Sequence, residues 1–205
     1  MRLTAAAIAL ASCATAFADS EYSSSLRLQD SAEEVVQASV DVTPYGQPGQ
    51  WWWTVGGGAG ASLNKGDASA AAFVGASNFL AEDFELSLDL TVWYLGEDHT
   101  NGDDAVALNF NPKFRWHFVH EEKHTFFAEA GVGMLIATEE SPEGGSEFNF
   151  TPQAGVGATF ELSEGPERMI VGVNWRHISN ANTFGSDRNP GRDDIFVYAG
   201  VTFPF

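Results

Sequence analysis

The sequence predicts an all-β protein, an eight-stranded antiparallel β-barrel that spans a membrane. Long runs of residues alternate between apolar and polar side chains, which is the two-residue period of a β-strand. The connections between these runs alternate in length, and one face of the runs is uniformly apolar while the other carries charges of both signs. A small barrel, with side chains filling its lumen and lipid around it, accounts for all three observations.

The N-terminal residues precede this pattern. Residues 1–18 predict a secretory signal peptide, with an early positive charge, an apolar run and an A-x-A cleavage site ending at Ala18. A lipoprotein box ending at Cys13 is an alternative, and either route exports the protein to a bacterial cell envelope. Residues 19–50 are polar and acidic with little alternation, which predicts a flexible segment ahead of the barrel.

The barrel is expected to occupy residues 51–205. Its predicted strands cover residues 51–63, 70–80, 84–95, 108–118, 126–136, 148–162, 169–179 and 195–205. The clearest strand is 108–118, where apolar residues (and Pro112) at even positions alternate with polar residues at odd positions, a pattern that no helix would bury. The first two strands are rich in glycine and alanine, so their inward and outward faces are weakly marked.

The connections indicate the orientation of the barrel. Connections 81–83, 121–123 and 163–167 are short, whereas 96–106, 139–146 and 181–194 are long and polar, and only 65–67 breaks the trend. Short periplasmic turns and long extracellular loops are typical of an outer-membrane barrel. The aromatic C-terminal residue, Phe205, is also common in such barrels.

Charge and hydropathy exclude other classes. A formal net charge of −18 argues against a nucleic-acid partner, because phosphates require a basic surface. No apolar stretch of about 18 residues follows the signal peptide, which excludes a transmembrane helix. A soluble barrel or sandwich is the alternative fold, and it would bury its apolar face inward. The predicted lumen carries charges of both signs, and Arg176 is expected to pair there with a carboxylate such as Glu129 or Glu161.

The strand over residues 169–179 carries the candidate site. Its apolar face continues into His177 and Ser179, which lie where this strand reaches the outer rim of the barrel. Asp193 shares parity with Ile195 and Val197, the lipid-facing residues of the last strand. A histidine, a serine and a carboxylate therefore converge on the outer wall.

These residue types suit nucleophilic catalysis. A serine hydroxyl attacks an ester once an imidazole accepts its proton, and a carboxylate orients that imidazole. Asn180 is a candidate to stabilise the oxyanion, and Asp194 competes with Asp193 for the acid role although its parity points inward. The alternative is that these are ordinary polar residues at an interfacial strand end.

No metal or cofactor is expected. A possible metal cluster consists of His117, His120, His124, Glu121 and Glu122, but they lie at a strand end and a turn, and His117 faces the lumen.

Two sequence segments resemble the PagL family of lipid A 3-O-deacylases. They are HISNA, which begins at His177, and NPGRD, which ends at Asp193, followed by a final strand with an aromatic end. The resemblance implies an eight-stranded barrel in the outer membrane, with a Ser/His/acid triad on its outer wall and no cofactor. Carried onto this chain, Ser179 is the nucleophile, His177 the base and Asp193 the acid, where the best-known member has glutamate. Asn180 then supports the oxyanion, while residues 19–50 have no counterpart.

The predicted function is an outer-membrane esterase that removes an ester-linked acyl chain from the lipid A of lipopolysaccharide. Its partners are then lipid A and the surrounding outer-membrane lipid. The alternative is a non-catalytic small barrel that acts as an envelope scaffold or adhesin, with residues 19–50 engaging a periplasmic partner.

Overall fold

A computed structural model of the chain describes residues 44–63, 67–97, 103–163 and 165–205. The predicted signal peptide and most of the segment 19–50 lie outside the described residues. The strands are β1 (Trp51–Ser62), β2 (Ala68–Ala81), β3 (Phe84–Leu95), β4 (Ala105–His120), β5 (His124–Ala137), β6 (Phe148–Glu161), β7 (Arg168–Ile178) and β8 (Arg192–Pro204). Consecutive strands pair antiparallel and β1 pairs with β8, so the sheet closes and the predicted eight-stranded antiparallel barrel is confirmed. The described part of the chain contains no helix long and apolar enough to cross a membrane.

The apolar face of the strands lies on the outside of the barrel. Along β4, Leu108 and Trp116 are exposed, whereas Asn109, Lys113 and Arg115 are buried in the lumen. The same alternation runs through the neighbouring strands, so the exterior is a band of large apolar side chains. A soluble barrel would have the opposite polarity, and this arrangement is the one that lipid contact requires.

Ion pairs fill the lumen. Lys113 Nζ lies 2.8 Å from Asp89 Oδ2 and 3.3 Å from Glu129 Oε2. Arg115 Nε lies 3.0 Å from Glu129 Oε2, and its Nη1 lies 3.2 Å from Glu85 Oε1. Buried charges are tolerated only when they are paired and hydrogen-bonded, which these side chains are.

Arg176 has a different partner from the predicted ones. Its Nη2 lies 2.6 Å from Asp194 Oδ2, so Arg176 pairs with a lumen carboxylate as expected, but the partner is neither Glu129 nor Glu161. Arg176 stands directly opposite Asp194 in the pairing of β7 with β8, whereas Glu129 is already held by Lys113 and Arg115. The register between strands, rather than the face alone, therefore decides the partner.

The two ends of the barrel differ as predicted. At the turn end, the connections after β2, β4 and β6 are short, while the longer connections after β3, β5 and β7 lie at the opposite, loop end. β8 begins at Arg192 rather than at residue 195, so Asp193 lies within a strand and not in the preceding loop. Hydrophobic alternation missed this start because Arg192, Asp193 and Asp194 are polar on both faces.

Residues 44–50 pack against the turn end. The ring of Tyr45 is buried, with its centroid 4.9 Å from that of Trp52 and 5.0 Å from that of Phe79. The Arg168 guanidinium lies 4.9 Å from the centre of the Tyr45 ring. Burial raises the pKa of the Tyr45 hydroxyl well above its usual value, so the Tyr45 side chain stays neutral. The last residues of the segment expected to be flexible therefore belong to the packed barrel.

Candidate functional site

Strands β7 and β8 bring His177 and Asp193 together. The two residues are directly opposite in the strand pairing, and His177 Nδ1 lies 3.0 Å from Asp193 Oδ1. Both side chains are 31% exposed on the outward face of the barrel. A carboxylate that accepts a hydrogen bond from Nδ1–H selects the tautomer whose Nε2 is free to accept a proton.

Ser179 lies one residue beyond the end of β7. Its N–H donates to the carbonyl of Phe150 over 3.1 Å, and the Phe150 N–H donates to the Ser179 carbonyl over 2.7 Å. Ser179 Oγ makes no hydrogen bond with any described residue. Residues i and i+2 of a strand share a face with Cα atoms about 6.5–7 Å apart, so Ser179 is a neighbour of His177, although no hydrogen bond joins the two side chains in the described structure.

Asp194 lies on the opposite face from Asp193. It is fully buried in the lumen, where Oδ2 accepts from Arg176 and Oδ1 accepts from Arg192 Nε over 2.8 Å. Two guanidinium groups thus hold Asp194 away from His177. The carboxylate that accepts a hydrogen bond from the imidazole is that of Asp193, the residue that parity favoured.

Asn180 is fully buried, and its donors are occupied. Nδ2 donates to Ser146 Oγ over 3.0 Å and to the Arg188 carbonyl over 2.6 Å, and the Asn180 N–H donates to Asn189 Oδ1 over 2.9 Å. These bonds tie the β5–β6 connection to the β7–β8 connection, which contains Ser179. The oxyanion role stays a prediction, and one of these hydrogen bonds would have to open for it.

Two histidines of the possible metal cluster, His117 and His120, bind neighbouring side chains of the barrel instead. His117 lies in the lumen, with Nε2 3.1 Å from Glu85 Oε2 and Nδ1 2.9 Å from Thr125 Oγ1. His120 pairs with Asp83 at the turn end. No group of histidine, cysteine and acidic side chains in the described part of the chain has an arrangement that would hold a metal ion.

Two neighbours of His177 were not identified as site residues by sequence reasoning. Trp175 Nε1 donates to Asp193 Oδ1 over 3.0 Å, although the sequence pattern marked Trp175 only as a lipid-facing apolar residue. Gly191 has a φ of +68°, and a Cβ there would lie 3.1 Å from His177 Cε1. The available signal was the position of each: Trp175 shares the face of His177, and Gly191 comes two residues before Asp193.

Comparisons with known proteins identify the family. The family model for lipid A 3-O-deacylase (PagL) matches residues 75–202, which include His177, Ser179, Asn180 and Asp193. The crystal structure of the outer membrane enzyme PagL is 21% identical with a TM-score of 0.55, covering 74% of this chain and 99% of that chain. The crystal structure of Neisserial surface protein A (NspA) is 14% identical with a TM-score of 0.58, covering 76% of this chain and 97% of that chain.

No curated protein matches the sequence. The two solved structures share the fold of this chain, an outer-membrane type of β-barrel. The family match extends over most of the 205 residues and includes both strands that build the site. The chain belongs to the lipid A 3-O-deacylase (PagL) family.

Proposed function

We propose that this outer-membrane barrel is an esterase that removes an ester-linked acyl chain from the lipid A of lipopolysaccharide, with Ser179, His177 and Asp193 as its catalytic residues. Family membership supplies the lipid A substrate. The observation that carries the catalytic assignment is the 3.0 Å contact between His177 Nδ1 and Asp193 Oδ1 on the outward face. The ion pairs that stabilise the lumen are buried, whereas this pair is partly exposed and can be reached by a substrate.

The reaction follows from this arrangement. Ser179 Oγ attacks the ester carbonyl carbon while its proton passes to His177 Nε2, and Asp193 stabilises the imidazolium that forms. The tetrahedral intermediate collapses, the ester bond breaks, and the lipid A alkoxide leaves with the proton from His177. Water then attacks the acyl-enzyme with His177 again as base, which releases the fatty acid and restores Ser179.

The mechanism requires His177 Nε2 and Ser179 Oγ to approach each other. Catalytic hydrogen bonds are often long before substrate binds and shorten in the substrate complex. The Ser179 backbone is held by Phe150, so the approach is assigned to the two side chains rather than to the strand. Apolar Val173 and Ile195 are exposed beside the site, and an acyl chain can lie along them while water reaches the loop end.

The alternative is a non-catalytic surface barrel, and the fold does not separate the two. The TM-score to Neisserial surface protein A is 0.58 and that to PagL is 0.55. The imidazole–carboxylate pair of His177 and Asp193 favours the enzyme. It lies on the apolar exterior, where it neutralises no buried charge of the lumen, so a structural role does not account for it.

Mass spectrometry of lipid A tests the proposal. Cells that produce the wild-type barrel are expected to lose one ester-linked acyl chain from lipid A, whereas cells that produce Ser179→Ala should keep it. The alanine variant lacks the nucleophile but keeps both backbone hydrogen bonds to Phe150, so the barrel should fold normally. Lipid A that keeps all of its acyl chains in both strains, with both outer-membrane barrels correctly folded, would refute the enzyme. Loss of a chain in both would move the nucleophile elsewhere.

Gly191→Ala is expected to lower kcat by about 10- to 100-fold, because small displacements of a catalytic group have effects of this size. The new Cβ would lie 3.1 Å from His177 Cε1 and 3.6 Å from Nε2, so the imidazole must shift. Gly185→Ala is the matched control, since Gly185 also has a positive φ, of +98°, but its new Cβ would have no neighbouring atom within 4 Å. Deacylation rates and melting temperatures of both variants would be measured. Equal rates would show that Gly191 imposes only backbone strain.

A further inference from the structure

The Asp193 carboxylate accepts two hydrogen bonds on the same oxygen. Oδ1 lies 3.0 Å from His177 Nδ1 and 3.0 Å from Trp175 Nε1. We infer that Trp175 is a positioning residue of the site, whose indole N–H holds the Asp193 carboxylate in the orientation that His177 requires. This inference rests on the proposed function, because it assigns a second residue to the same catalytic carboxylate.

The strand pairing explains the contact. His177 is directly opposite Asp193, while Trp175 is directly opposite Ile195, so Trp175 reaches Asp193 along the diagonal of the β7–β8 ladder. Diagonal neighbours are within reach of long aromatic side chains. The indole ring also lies alongside the imidazole, with 6.2 Å between centroids and 24° between planes. One side chain therefore contacts both the base and the acid.

The Asp193 carboxylate needs a neutral hydrogen-bond donor to fix its orientation. An aspartate carboxylate that is partly exposed at the barrel surface can rotate about χ2, whose energy profile is broad. An arginine or lysine in place of Trp175 would fix the carboxylate but would also compete with the imidazolium as its cationic partner. An indole is a neutral donor with no acceptor, so it restrains the carboxylate and leaves its charge to His177.

Tryptophan is also common in the aromatic belts of membrane proteins, where the N–H faces the head groups. Trp116 fits that description, because it is exposed on the exterior and makes no hydrogen bond with any described residue. Trp175 differs in one respect, which is that its N–H is directed at a carboxylate that itself binds a histidine. Trp116→Phe is therefore the matched control for Trp175→Phe, since both keep an aromatic ring on the exterior.

The experiment measures kcat and KM on lipid A for the wild type and for Trp175→Phe, Trp116→Phe, Asp193→Asn and Trp175→Phe combined with Asp193→Asn. Trp175→Phe is expected to lower kcat by about 10-fold, the usual effect of one hydrogen bond to a charged group, with little change in KM. Trp116→Phe should match the wild type. In the Asp193→Asn background, Trp175→Phe should cause no further loss, because it acts only through that carboxylate.

A second readout is independent of turnover. In NMR spectra of labelled histidine, the His177 Nδ1–H signal should be protected in the wild type and in Trp116→Phe, and should exchange faster in Trp175→Phe. Wild-type kcat and an unchanged signal in Trp175→Phe would overturn the inference. A loss of kcat that adds fully to that of Asp193→Asn would also overturn it, since that result indicates general destabilisation. An inactive wild type would refute the proposed function itself.

Discussion

Asp193→Asn is expected to lower kcat by about 10⁴-fold, the effect of the same change in a serine-protease triad. The asparagine NH2 group can donate to His177 Nδ1, which favours the wrong tautomer of the imidazole, and the neutral amide does not stabilise the imidazolium as a carboxylate does. KM should change little, because Asp193 contacts His177 and Trp175 rather than the position of the ester. Steady-state kinetics on purified lipid A in mixed micelles would measure both constants.

Asp194→Asn is the control for that experiment, with the same chemical change one residue away. Asp194 pairs with Arg176 and Arg192 in the lumen, so its loss should lower the melting temperature and leave the folded barrel with most of its kcat. The opposite result, with kcat lost in Asp194→Asn and retained in Asp193→Asn, would assign the acid role to the lumen residue. It would also exclude the outward-facing triad.

The two-residue period of the strands was sufficient to predict the fold and the faces on which most of the candidate site residues lie. The alternation over residues 108–118 is enough to place Lys113 and Arg115 in the lumen and Trp116 outside, because successive side chains of a strand point to opposite faces. The same rule separates Asp193 from Asp194, and the structure places them on the predicted faces. A two-residue period is a local property, so a single strand is sufficient to reveal it.

Features that depend on pairing between strands could not be predicted in this way. Arg176 faces the lumen as expected, but its partner is Asp194 because of the β7–β8 register, which no local pattern encodes. The hydrogen bond from Trp175 to Asp193 has the same origin. Register in a closed barrel is set by all of the strands together, so it is a property of the whole chain.

Tyr45 shows a second limit of sequence reasoning. It lies in a polar stretch whose composition indicates flexibility, yet its ring is buried against Trp52 and Phe79. The Tyr45 ring and hydrogen bonds to the barrel, such as those from Asp83 N–H to the Gly46 carbonyl and from Asn78 Nδ2 to the Gln50 carbonyl, together anchor the stretch. Average composition does not detect such contacts, because they depend on where the strands place their partners.

The second large effect concerns stability. Arg115→Met is expected to lower the free energy of unfolding by about 3–5 kcal/mol, as is usual when one partner of a buried ion pair is removed. Arg115 pairs with both Glu85 and Glu129, and all of these side chains are at most 2% exposed. Methionine fills a similar volume but leaves those carboxylates with less positive charge nearby. Denaturant unfolding in detergent micelles would measure the difference.

Arg188→Met is the control, because Arg188 pairs with Glu140 over 2.9 Å at the surface, where both side chains are about half exposed. Exposed pairs typically contribute about 0–1 kcal/mol, so this variant should unfold almost like the wild type. Adding Glu129→Gln to Arg115→Met should restore part of the lost stability, because it removes a negative charge that Arg115 no longer balances and keeps the side-chain shape. If Arg115→Met and Arg188→Met were equally stable, the lumen pairs would be solvated rather than buried. The barrel would then depend on its lipid-facing exterior and backbone hydrogen bonds alone.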